Sequence, residues 1–289
     1  MKVLLTGSKG MLAKEFISEC QKRTDYTIIA LEREKCNITD FSSIRDAVRD
    51  IRPDVIINCA SYTDVDGCER DQEKAFNVNG EGVKNLMQAC RENDMLLVHF
   101  STDFVFDGEK KSPYTEEDKP NPLNIYGKSK LLGEQYLLNS HIRFFLIRTS
   151  WMYGNGGRNF AKAVVDKVTN QSEISVVDDQ IGNPTWVKDI VDITLRLLET
   201  KQYGIYNYSN EGECSWYEFA CEIIKILQNS ENKFHNTKVI PIKSAQLKRA
   251  AKRPAYSALN KSKIKSAVGI DVPHWRESLK KFLIEGSEL

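Results

Sequence analysis

Tyr126 and Lys130 are the side chains whose types and spacing most directly indicate catalysis. They stand four residues apart, and on a helix this spacing places both side chains on one face. A phenol exchanges its proton poorly near neutral pH, and a neighbouring ammonium group lowers the pKa of the phenol toward the working range. The pair therefore predicts proton transfer at a substrate oxygen. A solvent-facing pair without a function is the alternative.

A Ser-Thr-Asp segment precedes this pair and supplies a further hydroxyl group. Ser101, Thr102 and Asp103 come at the end of a predicted strand. We expect Thr102 to donate a hydrogen bond to a substrate carbonyl or to Tyr126, and we expect Asp103 to lie at the substrate. Together with Lys130 these groups predict a site that polarises a carbonyl group while hydride arrives from a nicotinamide.

A glycine-rich loop near the amino terminus predicts the dinucleotide site. Residues 6–13 read Thr-Gly-Ser-Lys-Gly-Met-Leu-Ala, which is the pattern TGxxGxxA between a predicted strand and a helix. Gly7 allows the tight turn, Gly10 lets backbone amides approach a pyrophosphate, and Ala13 lets helix and strand pack closely. An ordinary strand-to-helix turn is the alternative, but the position in the chain favours the cofactor.

Charged residues after the second predicted strand bear on the choice of cofactor. Glu32 is placed to accept hydrogen bonds from the adenosine ribose hydroxyls of NAD, whereas Arg33 and Lys35 are suited to the 2′-phosphate of NADP. We therefore expect both NADPH and NADH to be used. A solvated loop is the alternative for these charges. After the third strand, the small residue Ala60 leaves room for the cofactor where the strand order reverses.

Alternating strands and helices are expected to position these groups. Short apolar runs predict strands at 3–6, 26–31, 55–58, 96–101 and 144–148. Apolar residues three and four apart predict helices at 14–23, 42–50, 73–92 and 129–138. The alternation predicts an α/β fold with a doubly wound parallel sheet of the Rossmann type.

The pattern changes after residue 150, where glycines separate shorter elements. We expect residues 1–150 to form the dinucleotide-binding domain, and residues 151–185 with 209–289 to form a smaller substrate-binding lobe. A predicted helix at 188–200 and a predicted strand at 204–208 indicate that about 186–208 rejoin the sheet. The two lobes are therefore expected to be interleaved.

The composition excludes several classes of protein. The chain has 289 residues, of which 41% are hydrophobic and 28% charged, and its net charge is +1, so neither nucleic acid nor a membrane is an expected partner. Seven cysteines without a CxxC pair indicate reduced thiols, and we expect a cytoplasmic protein because no long apolar run is present. The four histidines lack metal-binding spacing, so no metal site is predicted; they are His99, His141, His235 and His274.

Candidate substrate groups lie beyond the fifth predicted strand. Trp151 is placed to offer an aromatic face to a sugar or base, with core packing as the alternative. The basic run at 248–253 ends in Arg253, whose guanidinium suits a diphosphate; a solvated loop is the alternative. His99 and Trp216 are interpreted as residues that pack inside the fold.

The order of the glycine loop, the Ser-Thr-Asp segment and the Tyr126–Lys130 pair resembles the extended short-chain dehydrogenase/reductase family. Other segments are similar to the dTDP-4-dehydrorhamnose reductases within it. They are Thr-Asp-Val-Asp at 63–66, Ser-Thr-Asp-Phe-Val-Phe-Asp-Gly at 101–108, Arg-Thr-Ser-Trp-Met-Tyr-Gly at 148–154, Asp-Gln-Ile-Gly-Asn-Pro-Thr at 179–185 and Lys-Arg-Pro at 252–254. The resemblance covers nearly the whole chain.

This resemblance implies a reaction and a set of residue roles. The reaction is the NAD(P)H-dependent reduction of the C4 keto group of dTDP-4-dehydro-L-rhamnose to dTDP-L-rhamnose, the last step of dTDP-rhamnose biosynthesis. By position, Tyr126 is the proton donor, Lys130 contacts cofactor and tyrosine, and Thr102 tunes the site. Sugar contact falls on Trp151, and Arg253 is expected nearest the substrate. The implied cofactor contacts are Gly10, Met11, Leu12, Asn37, Ile38, Ser61, Tyr62, Thr63 and Phe100.

Two positions depart from the pattern of these reductases. Phe104 stands where tyrosine is common, and Asn37 stands where aspartate is frequent, which removes a hydroxyl near the sugar and changes one cofactor hydrogen bond. Some members bind Mg²⁺ at a dimer interface, so magnesium and a homodimer stay open. Two other functions also stay open: a reductase of a different nucleotide-linked 4-keto-6-deoxyhexose, and a non-catalytic regulatory homologue. The intact Thr102, Tyr126 and Lys130 favour an enzyme.

Overall fold

The computed structural model describes residues 1–230 and 237–285, and in these ranges the chain forms twelve strands. The strands are β1 (Lys2–Thr6), β2 (Thr27–Leu31), β3 (Val55–Asn58), β4 (Leu96–Thr102), β5 (Phe144–Thr149), β6 (Met152–Tyr153), β7 (Glu173–Val177), β8 (Ile181–Gly182), β9 (Thr185–Trp186), β10 (Gly204–Asn207), β11 (Cys214–Ser215) and β12 (Lys238–Ile242).

Six of these strands form one parallel sheet in the order β2-β1-β3-β4-β5-β10. The chain leaves β1 for β2 on one side and returns to β3 on the other, so the strand order reverses between β1 and β3. In an open parallel sheet the crevice at the carboxyl ends of such strands is where ligands bind. The predicted doubly wound fold is confirmed.

The helices connect the strands. They are α1 (Met11–Gln21), α2 (Phe41–Ile51), α3 (Val65–Arg70), α4 (Gln72–Phe76), α5 (Gly82–Glu92), α6 (Ile125–Leu138), α7 (Phe160–Val168), α8 (Val187–Thr200), α9 (Trp216–Ser230), α10 (Ser262–Val268) and α11 (Trp275–Glu285). A π-helical turn at Asn77–Glu81 joins α4 to α5, and short 3₁₀ turns lie at Asp103–Val105 and Ser244–Gln246.

Both faces of the sheet are covered, because successive side chains of a strand point to opposite faces. In β1, Val3 and Leu5 enter the larger apolar cluster together with α1 and α8. Leu4 enters the other cluster, together with α2, α5 and α6. Strands β3 and β4 are buried throughout. The central strands are therefore shielded on both sides, which holds their carboxyl ends in a fixed row.

Short strands after residue 150 build three two-stranded sheets: β6 with β9, β8 with β11, and β7 with β12. Strand β10 pairs in parallel with β5 and so extends the main sheet from a distant part of the chain. The helix and strand predicted at 188–200 and 204–208 are present as α8 and β10. Among the four histidines, His235 lies outside the described residues. No helix in the described ranges is long and apolar enough to cross a membrane.

Three helices differ from their predicted bounds in ways that affect the site. The helix predicted at 73–92 is interrupted by the π-helical turn, and helix α1 begins three residues earlier than predicted, directly at the glycine loop. Helix α6 begins at Ile125 because Asn124 caps it: its side chain accepts a hydrogen bond from Gly127 N at 2.8 Å. Tyr126 and Lys130 therefore both lie on α6.

Candidate active site

The polar residues of the candidate site gather at the carboxyl ends of the central strands. Thr6, Asn58, Thr102 and Thr149 are the last residues of β1, β3, β4 and β5, and all four are buried. Helix α6 runs past this edge and brings Tyr126 toward it. Residues far apart in the chain thus meet at one end of the sheet, next to the reversal of strand order.

The glycine loop has the geometry that a dinucleotide requires. Gly7 has φ +68, and a Cβ atom there would lie 2.8 Å from the backbone of Ala60, so the turn and the close approach both exclude a side chain. Gly10 precedes α1, whose first turn has no side-chain cap. The free amides at this helix end fit a pyrophosphate, and the residues present therefore fit a nicotinamide dinucleotide.

A cavity of about 280 Å³ lies beside this loop and contains many of the predicted cofactor residues. The predicted residues that line it are Gly7, Gly10, Arg33, Asn37, Ile38, Ala60, Ser61 and Tyr62. Lys74, on α4, also lines the cavity, with its Nζ 4.4 Å from the centroid of the Tyr62 ring. The sequence did not single out Lys74, since nothing in its local pattern links α4 to the glycine loop.

Other predicted cofactor residues lie outside the lining of this cavity. Glu32 pairs with Lys9 at 2.7 Å, and Lys35 and Thr63 are exposed. Leu12 and Phe100 are buried in the core. Met11 faces the loop at 154–159, where its sulfur accepts a hydrogen bond from Asn159 Nδ2 at 3.6 Å.

Tyr126 lies next to the Thr102 hydroxyl, as expected for a catalytic pair. Burial raises the pKa of the Tyr126 phenol above its ordinary value, and the neighbouring Thr102 hydroxyl opposes this shift. The Thr102 Oγ1 also accepts a hydrogen bond from Phe104 N at 3.1 Å, which fixes its rotamer at the start of the 3₁₀ turn. The phenol is therefore held protonated, in the form that a proton donor needs.

Lys130 is buried on the same face of α6 but does not ion-pair with the phenol. Its Nζ donates a hydrogen bond to Phe100 O at 2.6 Å and lies 3.4 Å from His99 Nε2. Burial lowers the pKa of Lys130 to about 8. The expectation that the ammonium brings down the pKa of Tyr126 is wrong for this structure, because burial raises this pKa and the nearby Asp103 and Cys68 raise it further.

Asp103 connects Thr102, at the end of β4, to Ser257 in the carboxyl-terminal part of the chain. Its Oδ2 accepts a hydrogen bond from Ser257 Oγ at 2.6 Å, and its Oδ1 accepts one from Thr102 Oγ1 at 3.1 Å. Burial raises the pKa of this carboxyl to about 7, against the opposing effect of those hydroxyl donors. The carboxyl thus links Thr102 to the loop that follows Arg253.

A second cavity, of about 350 Å³, is lined by Phe104 and Ser257, which hydrogen-bond to Thr102 and to Asp103. Trp151, Arg253 and Phe104 line it, together with Trp216 from α9. The Phe104 ring meets the Tyr126 ring edge to face, with centroids 5.9 Å apart. The predicted substrate residues Trp151 and Arg253 are therefore brought to one cavity beside the predicted catalytic groups.

Arg253 is held by a carboxylate at the mouth of this cavity. Its Nη2 donates to Asp66 Oδ2 at 2.8 Å, and its Nη1 donates to Ala251 O at 2.9 Å. Arg253 lowers the pKa of Asp66 to about 2 by this hydrogen bond. Asp66 belongs to the motif at 63–66, but nothing in that motif indicates a contact with a residue so much later in the chain.

Sequence reasoning missed the roles of His99 and Trp216. His99 is buried as predicted, but its ring contacts both Asn58 and Lys130 instead of packing only against apolar neighbours. Trp216 is half-buried and forms part of a cavity wall. In the described ranges, no three His, Cys, Asp or Glu side chains cluster as a metal ion requires. The absence of a metal site and the possible Mg²⁺ site both stay predictions.

Comparisons with known proteins agree with this geometry. A family model described as the RmlD substrate binding domain matches residues 1–287. The chain belongs to this family. Among similar proteins, the dTDP-4-dehydrorhamnose reductase of Aggregatibacter actinomycetemcomitans is 36% identical over 291 residues, covering 96% of this chain and 97% of the relative. The spore coat polysaccharide biosynthesis protein SpsK of Bacillus subtilis (strain 168) is 39% identical over 286 residues, covering 99% of this chain and 98% of SpsK.

A solved structure matches this chain over nearly its full length. It is dTDP-4-dehydrorhamnose reductase from Bacillus anthracis str. Ames in complex with NADP, with a TM-score of 0.93, 37% identity, and coverage of 98% of this chain and 99% of that chain. The resemblance drawn from the sequence motifs is therefore confirmed. The RmlD family membership concerns residues 1–287 and not the glycine loop alone.

Proposed function

We propose that this protein reduces the C4 keto group of dTDP-4-dehydro-L-rhamnose with NAD(P)H, giving dTDP-L-rhamnose in the last step of dTDP-rhamnose biosynthesis. The observation that carries the proposal is that Trp151 and Arg253 share a cavity with Phe104, whose ring meets the Tyr126 ring, while the glycine loop lines a cavity of its own. Membership of the RmlD family over residues 1–287 supports the same reaction.

The proposed chemistry assigns one proton to Tyr126. A reduced nicotinamide, when bound, would supply the hydride for C4. As the carbonyl π bond breaks, Tyr126 donates its phenolic proton to the oxygen and is left as a phenolate. Thr102 hydrogen-bonds the same oxygen or the phenol, and Lys130 in its ammonium form would contact the bound cofactor.

The cavity of Trp151 and Arg253 is proposed to hold the nucleotide-linked sugar. An indole face suits a sugar ring, and a guanidinium suits a diphosphate. The remote nucleotide then orients the sugar for reaction. Accordingly, residues 1–150 with about 186–208 are assigned to the dinucleotide, and residues 151–185 with 209–289 to the sugar, although 231–236 and 286–289 lie outside the described residues.

Both NADPH and NADH are proposed as cofactors. Arg33 and Lys74 line the cavity beside the glycine loop, and two cations there suit a 2′-phosphate. Glu32, the predicted acceptor for ribose hydroxyls, is partly neutralised by Lys9. The phosphate therefore adds affinity to a dinucleotide that binds mainly through its pyrophosphate.

A different 4-keto-6-deoxyhexose is the second candidate substrate, and Phe104 favours it. Phe104 lines the sugar cavity without the hydroxyl that a tyrosine would offer there. One relative, from Streptomyces niveus, bears the name dTDP-4-keto-6-deoxy-D-glucose reductase and is 32% identical over 277 residues, covering 96% of this chain and 94% of the relative. Identification of the product by NMR after incubation with each keto-sugar decides between the two substrates.

The direct test follows the loss of NADPH absorbance with dTDP-4-dehydrorhamnose for the wild type and for Tyr126→Phe. We expect turnover by the wild type and a fall in kcat of roughly 100-fold or more for the variant, because the proton donor is lost. A wild type without turnover on any keto-sugar indicates a non-catalytic homologue. Equal rates overturn the role of Tyr126. Light scattering with and without Mg²⁺ tests whether the protein forms a homodimer and whether magnesium affects its assembly.

A further inference from the structure

A row of buried hydrogen bonds runs from β1 to α6 beneath the candidate active site. Thr6 Oγ1 donates to Asn58 Oδ1 at 2.7 Å, and Asn58 Nδ2 lies 3.0 Å from His99 Nδ1. His99 Nε2 lies 3.4 Å from Lys130 Nζ. All four side chains are almost fully buried. Because no water competes at this depth, the direction of each hydrogen bond is determined by its neighbours.

The orientation of the Asn58 amide is determined by a backbone group. The N–H of Ala60 is a donor, and it lies 3.1 Å from the Asn58 side-chain oxygen. If the amide were turned over, its NH₂ group would face this N–H, and two donors would oppose each other. The oxygen therefore faces Ala60 and Thr6, and the NH₂ group faces His99.

This orientation selects one tautomer of His99. Burial and the nearby Lys130 lower the pKa of His99 well below its ordinary value, so the ring is neutral. A neutral imidazole carries one donor nitrogen and one acceptor nitrogen. Since Nδ1 accepts from Asn58, the proton lies on Nε2 and faces Lys130.

An Nε2–H group fits the amine form of Lys130 better than the ammonium form. An ammonium has three donors and no lone pair, so it opposes this N–H, whereas an amine accepts the N–H and still donates to Phe100 O at 2.6 Å. We infer that His99, oriented by Asn58, is a positioning residue that favours the loss of a proton from Lys130. Loss of this proton from Lys130 sets the alkaline limit of activity, an inference that rests on the proposed reduction.

The other groups that face Lys130 favour its ammonium form, which is opposite to the effect inferred for His99. Glu134, one turn farther along α6, and Cys59, after β3, both favour the charged form of Lys130. Glu134 is also hydrogen-bonded to Arg148, whose positive charge offsets part of the negative charge of Glu134. Tyr126 lies on the same face of α6, but no shift of either pKa is caused by the other. His99 is thus the neighbour whose hydrogen-bond polarity opposes the ammonium.

The tautomer is tested directly by NMR. Long-range ¹H–¹⁵N correlation spectra of the ¹⁵N-labelled protein distinguish a protonated Nε2 from a protonated Nδ1, and His99→Gln assigns the His99 signals. Exposed His141 provides the control through His141→Gln. We expect the Nε2–H tautomer in the wild type and the Nδ1–H tautomer in Asn58→Asp, since a carboxylate accepts from Nδ1. An Nδ1–H tautomer in the wild type overturns the inference.

The effect on Lys130 is tested by the pH profile of kcat/KM for the keto-sugar. In Asn58→Asp, Nε2 becomes an acceptor for the ammonium, and in His99→Gln the amide oxygen can turn toward it. We expect both variants to move the alkaline limb upward by roughly one pH unit or more, while His141→Gln leaves it in place. A purely structural role lowers the rate without moving the limb, and an unmoved limb in both folded variants overturns the inference. A wild type without turnover contradicts the proposed function, and the NMR result then still tests the tautomer.

Discussion

The indole of Trp151 lies flat on the indole of Trp216, with ring centroids 3.6 Å apart and planes 9° from parallel. Trp151 has φ +44, a left-handed conformation that a bulky side chain rarely adopts. Gly182 lies against the ring edge, and its strand β8 pairs with β11, which leads directly into α9 and Trp216. Gly182 and Trp216, joined through the β8–β11 pair, therefore form a slot for the Trp151 ring. This slot keeps the Trp151 backbone in its strained conformation.

Truncation of Trp216, whose indole is stacked on that of Trp151, is expected to impair sugar binding. Trp216→Ala removes the support of Trp151, whereas Trp216→Phe keeps a smaller ring. We expect KM for the keto-sugar to rise roughly tenfold in the alanine variant and less in the phenylalanine variant, with KM for NADPH unchanged. Circular dichroism checks the stack, because coupled indoles give a couplet that both variants lose. Unaltered sugar kinetics in a folded Trp216→Ala variant contradict this role.

Gly182→Ala is expected to disturb the same slot from its other side. A Cβ atom there would lie 2.7 Å from Trp151 Cε2, and the backbone of Gly182 does not itself require glycine. The indole must therefore shift, and KM for the keto-sugar is expected to rise while Trp216 stays in place. Gly204→Ala is the matched control for the loss of a glycine: a Cβ there meets nothing within 4 Å, although its φ of +133 adds local strain.

Lys74→Ala is expected to lower the affinity for NADPH more than for NADH. Its ammonium lines the cofactor cavity close to Arg33, and loss of a charge-assisted bond to the 2′-phosphate is expected to raise KM for NADPH roughly tenfold. KM for NADH is expected to change by less than about twofold, since NADH has no such phosphate. Lys35→Ala is the matched control, because Lys35 is exposed and lies outside the lining. Equal effects of Lys74→Ala on both cofactors contradict this assignment.

Asp103 is expected to make the stability of the protein depend on pH near neutrality. Its folded pKa of about 7 lies above the ordinary value of 3.8, so between these values the folded state binds more protons than the unfolded state. The free energy of unfolding therefore falls as pH rises from about 4 to about 7, by roughly 1 to 4 kcal/mol. Urea unfolding at several pH values should show this fall in the wild type and a smaller one in Asp103→Asn. Parallel curves contradict the shift.

The ion pair of Arg148 with Glu134 is expected to couple α6 strongly to β5. Arg148 Nη2 donates to Glu134 Oε2 at 2.7 Å, and the two side chains are 2% and 0% exposed. Removing one partner leaves an unpaired buried charge, so Arg148→Met and Glu134→Gln are each expected to lower the free energy of unfolding by about 3 kcal/mol. The double variant should lose clearly less than the sum. Additive losses in urea unfolding contradict the coupling.

The sequence by itself determined the main strands and helices of the first 150 residues and their order. Apolar runs and the glycine loop located the first five strands of the main sheet, because strand burial and a phosphate-binding turn impose strong local patterns. The spacing of Tyr126 and Lys130 placed both on one helix, since a helical face repeats every three to four residues. The interruption at Asn77–Glu81 and the start of α6 were missed, because a π-helical turn and a single capping asparagine leave weak signals.

Only the tertiary structure decided which groups surround these residues. The contacts of Asp66 with Arg253 and of Asp103 with Ser257 span more than half of the chain, and local sequence carries no record of such pairings. The pKa of Tyr126 was expected to fall and instead rises, because burial depends on every element packed around the phenol. The tautomer inferred for His99 likewise depends on one backbone N–H, that of Ala60, which the fold brings to Asn58.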